Sequence, residues 1–246
     1  YIYIYTYIWE ESKTPSDKFS TLGGHPSKHC FEYVHIESLI TIERNKYNID
    51  YSIKKILLAA GSSKRYGTEN KLSALINGKP IINHTLDALL KTFHHNEIIV
   101  VVGHDFQNII NLINNPIIKY IKNENYKNGI GTSISSAMKK IDANTDGVMI
   151  IPGDMPFITK EDLTKLQKKF LELKCTKVVC PKHNAIIGNP VLLPKSYFKI
   201  LENLNNDIGA KPYIKNEDLS FVQTNIGTTF DVDTVDNLVK AKKHKV

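Results

Sequence analysis

Three short stretches of this chain combine residue types that can do phosphate and metal chemistry. The first runs Leu58-Ala59-Ala60-Gly61-Ser62-Ser63-Lys64-Arg65-Tyr66-Gly67-Thr68-Glu69-Asn70-Lys71. Small side chains at Ala59, Ala60 and Gly61 allow a sharp turn and close approach of the backbone to a ligand, and consecutive N–H groups there can form an anion-binding concavity. Arg65 and Lys71 add two cations with the reach to meet the phosphates of one ligand. The glycine spacing matches neither a Walker loop nor a G-x-G-x-x-G fingerprint, and the same residues would also serve as a plain strand-to-helix loop.

The second stretch is Pro152-Gly153-Asp154-Met155-Pro156, a carboxylate held in a turn between two prolines. Magnesium takes oxygen ligands, usually one or two carboxylates with phosphate oxygens and water, and Asp154 suits that role. An aspartate that merely completes a turn is the other reading. Asp231 and Asp233 lie near the start of the last helical pattern, where one can supply a second carboxylate and the other can stabilise the helix dipole. In the third stretch, Asn128-Gly129-Ile130-Gly131-Thr132-Ser133, small residues open a helix that can accept a base or ribose edge or be an ordinary capped start.

Elements must bring these stretches together. From residue 53 onward, short β-branched apolar runs alternate with amphipathic segments, the pattern of a parallel sheet with helices on both faces. Strands are expected at residues 55–60, 97–102, 117–122, 147–151 and 177–181, with a shorter one near 191–193. Helices are expected at 80–93, 105–114, 132–141, 159–173, 195–204 and 234–243, with Pro80 at a first helical position and Thr159 and Thr234 as N-caps. In such sheets ligands bind beyond the carboxyl ends of the strands, where the Gly61 and Asp154 segments fall.

Composition narrows the class. The 246 residues are 41% hydrophobic and 23% charged, ordinary for a globular protein. No stretch approaches the roughly 18 uninterrupted apolar residues that cross a bilayer, so no membrane association is expected. Cys30, Cys175 and Cys180 form no C-x-x-C spacing and suggest neither a disulfide framework nor a zinc site, which fits a reducing cytoplasm. The opening residues lack the basic start and cleavage site of a signal peptide. Residues 1–53 carry five basic and seven acidic side chains, leaving the rest of the net +7 chain at +9. That balance suits polyanionic ligands such as nucleotides; without aromatic-basic interleaving or a helix-turn-helix pattern, nucleic acid is not the expected partner. Residues 1–53, with seven of the twelve tyrosines, Trp9 and the uncharged run YIYIYTYIW, read as an N-terminal extension preceding a domain over 54–246.

Taken together and in order, LAAGSSKRYGTENK, NGIGTSISSAMK, IIPGDMPFIT, GNPVLLP, NDIGAK and DVDTVDNL resemble the MobA-like nucleotidyltransferase superfamily, and within it the molybdenum cofactor cytidylyltransferase branch. The resemblance covers residues 54–243. It implies an α/β, Rossmann-like three-layer nucleotidyltransferase fold with a mostly parallel central sheet. It also implies Mg²⁺-dependent transfer of CMP from CTP to the terminal phosphate of molybdopterin cofactor, with release of pyrophosphate and a molybdenum hydroxylase or its chaperone as recipient.

Carried over by residue, Leu58, Ala59, Ala60 and Gly61 hug the nucleotide, and Arg65 and Lys71 neutralise the triphosphate. Asp154 and Asp233 hold the metal, and Gly131, Thr132 and Ser133 contact base or ribose. His183 and Asn189 fall in the acceptor-side segment. Ala60, where guanylyltransferase relatives usually carry a second glycine, favours cytosine. Tyr66 and Asn237 depart from the usual pattern. Transfer of CMP or GMP to another phosphate or sugar acceptor, a catalytically silent cofactor-delivery module, and a basic RNA-binding protein are the competing readings.

Overall fold

The computed structural model describes residues 51–63, 66 and 70–243. Arg65, Cys30 and the reading of residues 1–50 lie outside the described residues. Ten strands form among the described residues: β1 (Ile53–Ala59), β2 (Leu75–Ile76), β3 (Lys79–Pro80), β4 (Ile98–Val102), β5 (Lys119–Lys122), β6 (Gly147–Pro152), β7 (Val178–His183), β8 (Ile186–Ile187), β9 (Val191–Pro194) and β10 (Leu219–Gln223). Among the described residues the α-helices are α1 (Ile81–Leu90), α2 (Phe106–Ile113), α3 (Ile130–Met138), α4 (Lys160–Glu172), α5 (Phe198–Glu202) and α6 (Val235–Lys243).

The main sheet runs β10-β7-β9-β6-β1-β4-β5, with β8 on β7. Strand β1 pairs in parallel with β4 on one side and β6 on the other. Strand β9 lies between β6 and β7 and runs antiparallel to both, and β8 pairs antiparallel with β7. A strand buried on both faces reads as a continuous apolar run, and ILLA within β1 and IIVVV in β4 do so. Alternate side chains serve opposite faces. Leu57 and Ala59 join a cluster with α1, α2, α4 and α6, whereas Ile56, Leu58 and Ala60 join a second cluster with α3 and α5. The result is the expected three-layer α/β architecture with a mostly parallel centre.

Some local expectations change. Pro80 does not open the helix; it closes β3 opposite Leu75 and stands as the N-cap of α1, where its missing N–H costs nothing. Helix α3 begins at Ile130, two residues before the expected start, because Gly129 adopts φ 109° and turns the chain into it. The expected helix over 195–204 divides into a 3₁₀ turn, Lys195–Tyr197, and α5. Thr159 caps α4 as expected, with a reciprocal bond from Asp162, whose buried carboxylate also accepts from the Asn225 N–H at 2.9 Å. Thr234 accepts the Asn237 N–H at 3.2 Å, so the asparagine completes the start of α6. Among the described residues, no helix is long and apolar enough to cross a membrane.

Candidate active site

Strands β1 and β6 are in register to Leu58 and Pro152, so the loops after them emerge side by side. The Gly153 N–H donates to the Leu58 carbonyl at 3.0 Å, which ties the two loops together. A Cβ at position 153 would meet that carbonyl oxygen at 2.8 Å and Ile82 at 2.9 Å, so glycine is required for this approach. The turn is held from α1 as well: the Thr85 hydroxyl donates to the Gly153 carbonyl at 3.0 Å and accepts the Met155 N–H at 3.2 Å. The segment before α6 joins through the Val232 N–H, which donates to the Asp154 carbonyl at 3.1 Å.

This backbone places three carboxylates together. Asp154, Asp231 and Asp233 each offer an oxygen, and these oxygens lie within 4.8 Å of one another. Asp154 is 7% exposed, and its Oδ1 is buried without a hydrogen-bond partner. A buried carboxylate oxygen left unpaired is costly. An oxygen-only donor set with one unsatisfied buried atom fits a hard divalent cation.

Lys71 reaches into the same cluster, its ammonium donating to Asp154 Oδ2 and to Asp233 Oδ1, the latter at 2.7 Å. Burial pulls the Lys71 pKa down, but Asp154 and then Asp233 outweigh it and hold the group above the ordinary lysine value. Burial of its carboxyl, followed by the charges of Asp154 and Asp233, pushes Asp231 up against the opposing effect of Lys71. Burial pushes the thiol of Cys175 up to about 12 and that of Cys180 to about 11, so neither of these two is a ready nucleophile.

A cavity of ≈ 480 Å³ opens over the cluster. Leu58, Ala60, Gly61, Ser62, Ser63, Lys71, Gly153, Asp154 and Asp233 form one part of its wall, and Tyr126, Lys127, Asn128, Gly129, Ile130, Ser133 and Asp207 another. Ser63 stands in the left-handed region at φ 52°, its hydroxyl accepting the Lys71 N–H at 3.1 Å and donating to Asn70 Oδ1 at 3.3 Å. This contact fixes the base of the loop beside Lys71.

Of the residues singled out in the sequence, Leu58, Ala60, Gly61, Lys71, Ser133, Asp154 and Asp233 therefore meet around one cavity. Ala59 points into the core instead. Gly131 and Thr132 are outside the wall: Gly131 packs against the Asn206 carbonyl, and the Thr132 hydroxyl bonds to the carbonyls of Gly129 and Asn125 at 2.8 and 3.0 Å. Asn123, buried at the end of β5, donates to both Thr132 and Ser133. His183 and Asn189 lie elsewhere, His183 Nδ1 against the Thr224 carbonyl at 2.9 Å and the Asn189 N–H on the Thr228 carbonyl at 2.8 Å. Asp207 belongs to the NDIGAK stretch that carries the resemblance but was given no role of its own, and Tyr126 has no signal in the sequence, since an aromatic after a strand is common.

Similarity to known proteins agrees with this geometry. The curated protein "Bifunctional protein GlmU" from Caldicellulosiruptor saccharolyticus is 29% identical over 154 residues, which are 62% of this chain and 32% of that protein. The chain thus spans about a third of the length of this relative. Among solved structures, Rv0371c from Mycobacterium tuberculosis superposes with TM-score 0.68 at 19% identity, covering 80% of this chain and 100% of that one. A manganese complex of Rv0371c matches at TM-score 0.64 and 16% identity, covering 79% of this chain and 100% of that one. Molybdopterin-guanine dinucleotide biosynthesis protein A from Archaeoglobus fulgidus gives 0.56 at 20% identity, with 77% and 97% covered. At these identities the structures establish the fold. Residues 55–221, well over half of the sequence, match the model of the MobA-like NTP transferase domain, and the chain belongs to that nucleotidyltransferase family.

Proposed function

We propose that the protein transfers CMP from CTP to the terminal phosphate of molybdopterin cofactor, releasing pyrophosphate, with Mg²⁺ held by Asp154 and Asp233. The single observation that carries this reading is the meeting of the Gly61 loop, Lys71 and the acidic cluster on the wall of one cavity. In the reaction an oxygen of the acceptor phosphate attacks the α-phosphorus in line. The new P–O bond forms as the bond to the β-phosphate oxygen breaks, and the electron pair leaves with pyrophosphate. No covalent protein nucleophile is needed.

When bound, a divalent cation supplies Lewis-acid polarisation of the phosphoryl oxygens. The remaining work belongs to the chain: the Gly61 loop lets the phosphates approach the backbone, and Lys71 and Arg65 balance their charge. Ser133 and the backbone around Gly129 contact base or ribose, with Thr132 holding that turn in shape. Asp231 joins Asp154 and Asp233 as a third carboxylate. Cytosine is assigned from Ala60, and acceptor contact at His183 and Asn189, on the resemblance of those segments alone. A molybdenum hydroxylase or its chaperone is the proposed recipient of the product.

The test is pyrophosphate release by the full chain with Mg²⁺, offered CTP, GTP, ATP or UTP in turn, with and without molybdopterin cofactor. Release that requires both CTP and the cofactor is expected. Release with GTP instead would reassign the nucleotide. Nucleotide binding without release from any pair would move the assignment to another acceptor or to a silent delivery module.

A further inference from the structure

The Lys71 ammonium holds one oxygen of Asp154 and one of Asp233, two of the three carboxylates that can ligate a cation. We propose that Lys71 and a divalent cation compete for these carboxylates, and that the phosphates of a nucleotide relieve the competition by drawing the ammonium away. Metal and nucleotide then enter cooperatively. This inference rests on the nucleotidyl-transfer reading of the site.

A magnesium ion sits about 2.1 Å from each oxygen ligand. Ligation through the oxygens that already hold the Lys71 nitrogen would bring charges of +2 and +1 within about 5 Å, in a site where Lys71 and Asp154 are both largely withdrawn from water. That repulsion is not screened as it would be at an exposed pair. The ammonium also leaves the arrangement incomplete, since Asp154 Oδ1 stays buried and unpaired while Oδ2 is taken. A cation on Asp154 Oδ1 would satisfy that atom but would share one carboxylate with the ammonium on Oδ2, so the two positive charges would still meet across a single buried side chain.

The lysine has somewhere to go. Its side chain lines the same cavity as Gly61, Ser62 and Ser63, and its flexible stem carries a point charge rather than a fixed fork. Its backbone is fixed by the Ser63 hydroxyl, so the ammonium can swing while the chain stays in place. Phosphates against the Gly61 loop offer it a new partner of higher charge. By thermodynamic reciprocity, whatever the nucleotide adds to metal affinity the metal adds to nucleotide affinity.

The experiment measures Mn²⁺ binding by electron paramagnetic resonance to the full chain without nucleotide, comparing wild type with Lys71→Met. Lys127→Met serves as control, because it removes a cation from the wall of the same cavity. Lys71→Met is expected to bind Mn²⁺ at least tenfold more tightly than wild type, and Lys127→Met less than threefold. With saturating α,β-methylene CTP, the difference between Lys71→Met and wild type should shrink below threefold. Lys71→Gln, which keeps hydrogen-bond donors near the aspartates, supplies the same comparison if the methionine variant does not fold.

Equal Mn²⁺ affinity for wild type and the Lys71 variants, with binding abolished by Asp154→Asn, would overturn the competition and leave the metal assignment standing. Equal gains in the Lys71 and Lys127 variants would also overturn it, because general charge would then explain the effect. Absence of any Asp154-dependent Mn²⁺ binding would overturn the metal site and the inference together.

Discussion

Apart from its chain neighbours, a methyl group on Gly61 would meet no atom of the described residues within 4 Å, and the backbone there does not adopt a positive φ. Gly61→Ala should therefore change unfolding stability by less than about 0.5 kcal/mol, as for an ordinary surface substitution. The methyl would stand in the space proposed for the phosphates, and CTP affinity should fall about tenfold or more, near 1.4 kcal/mol. Calorimetric titration with CTP checks this, and unchanged affinity would remove the loop from the binding site. The contrast with Gly153 is instructive, since there the protein itself fills the place of a side chain. Both glycines are legible as small residues at strand ends, but the sequence does not say which faces ligand and which faces protein. The pairing of Lys71 with Asp154 across 83 residues is equally silent in local spacing, because it depends on two parallel strands ending at the same level. Thr132 shows the opposite case: the family resemblance implied a base or ribose contact, and its hydroxyl is bonded to the turn that precedes α3.

Helix α1 acts on the site through one buried hydroxyl. Thr85 is 0% exposed and bonds to both sides of Asp154, at Gly153 and Met155. Thr85→Val keeps the shape but strands a carbonyl and an N–H, and should cost about 1–3 kcal/mol of stability. Because the freed turn carries Asp154, the proposed metal ligand, nucleotide turnover should fall along with the urea midpoint; a stability loss with full turnover would show that the turn does not depend on α1. Strands β1, β4 and β6 were legible because burial on both faces demands unbroken apolar runs. Strand β10 was not, since among the described residues LSFVQ pairs with β7 alone, at the end of the strand order, and its side chains are half-buried or exposed. The antiparallel direction of β9 was likewise hidden: VLLP has the composition of a buried strand, and composition carries no direction. Pro80 read as a helix start because its fixed φ suits that position, yet the preceding two-residue strand claimed it first.

At the scale of the molecule, the residues assigned to the site all lie after β1 has begun. Tyr51 packs against the core and the Ser52 N–H donates to Asp146 at 2.9 Å, so a truncation is best placed before Tyr51. A chain beginning at Tyr51 should retain nucleotide turnover within about threefold, a change under 1 kcal/mol in transition-state stabilisation; loss of folded protein, followed by circular dichroism, would place residues 1–50 in the folding unit. The division of labour across the sheet is simple: β1 delivers the Gly61 loop, β6 leads to Asp154, and the segment before α6 brings Asp231 and Asp233. The most direct measurement is acceptor-dependent pyrophosphate release from CTP by wild type and Asp154→Ala under the same Mg²⁺ concentration, with melting temperature recorded for both. The expected result is a loss of at least about 10³-fold, roughly 4 kcal/mol of transition-state stabilisation, in a variant that remains folded. Release at the wild-type rate from folded Asp154→Ala would contradict the assignment of this cluster as the metal-binding centre of the reaction.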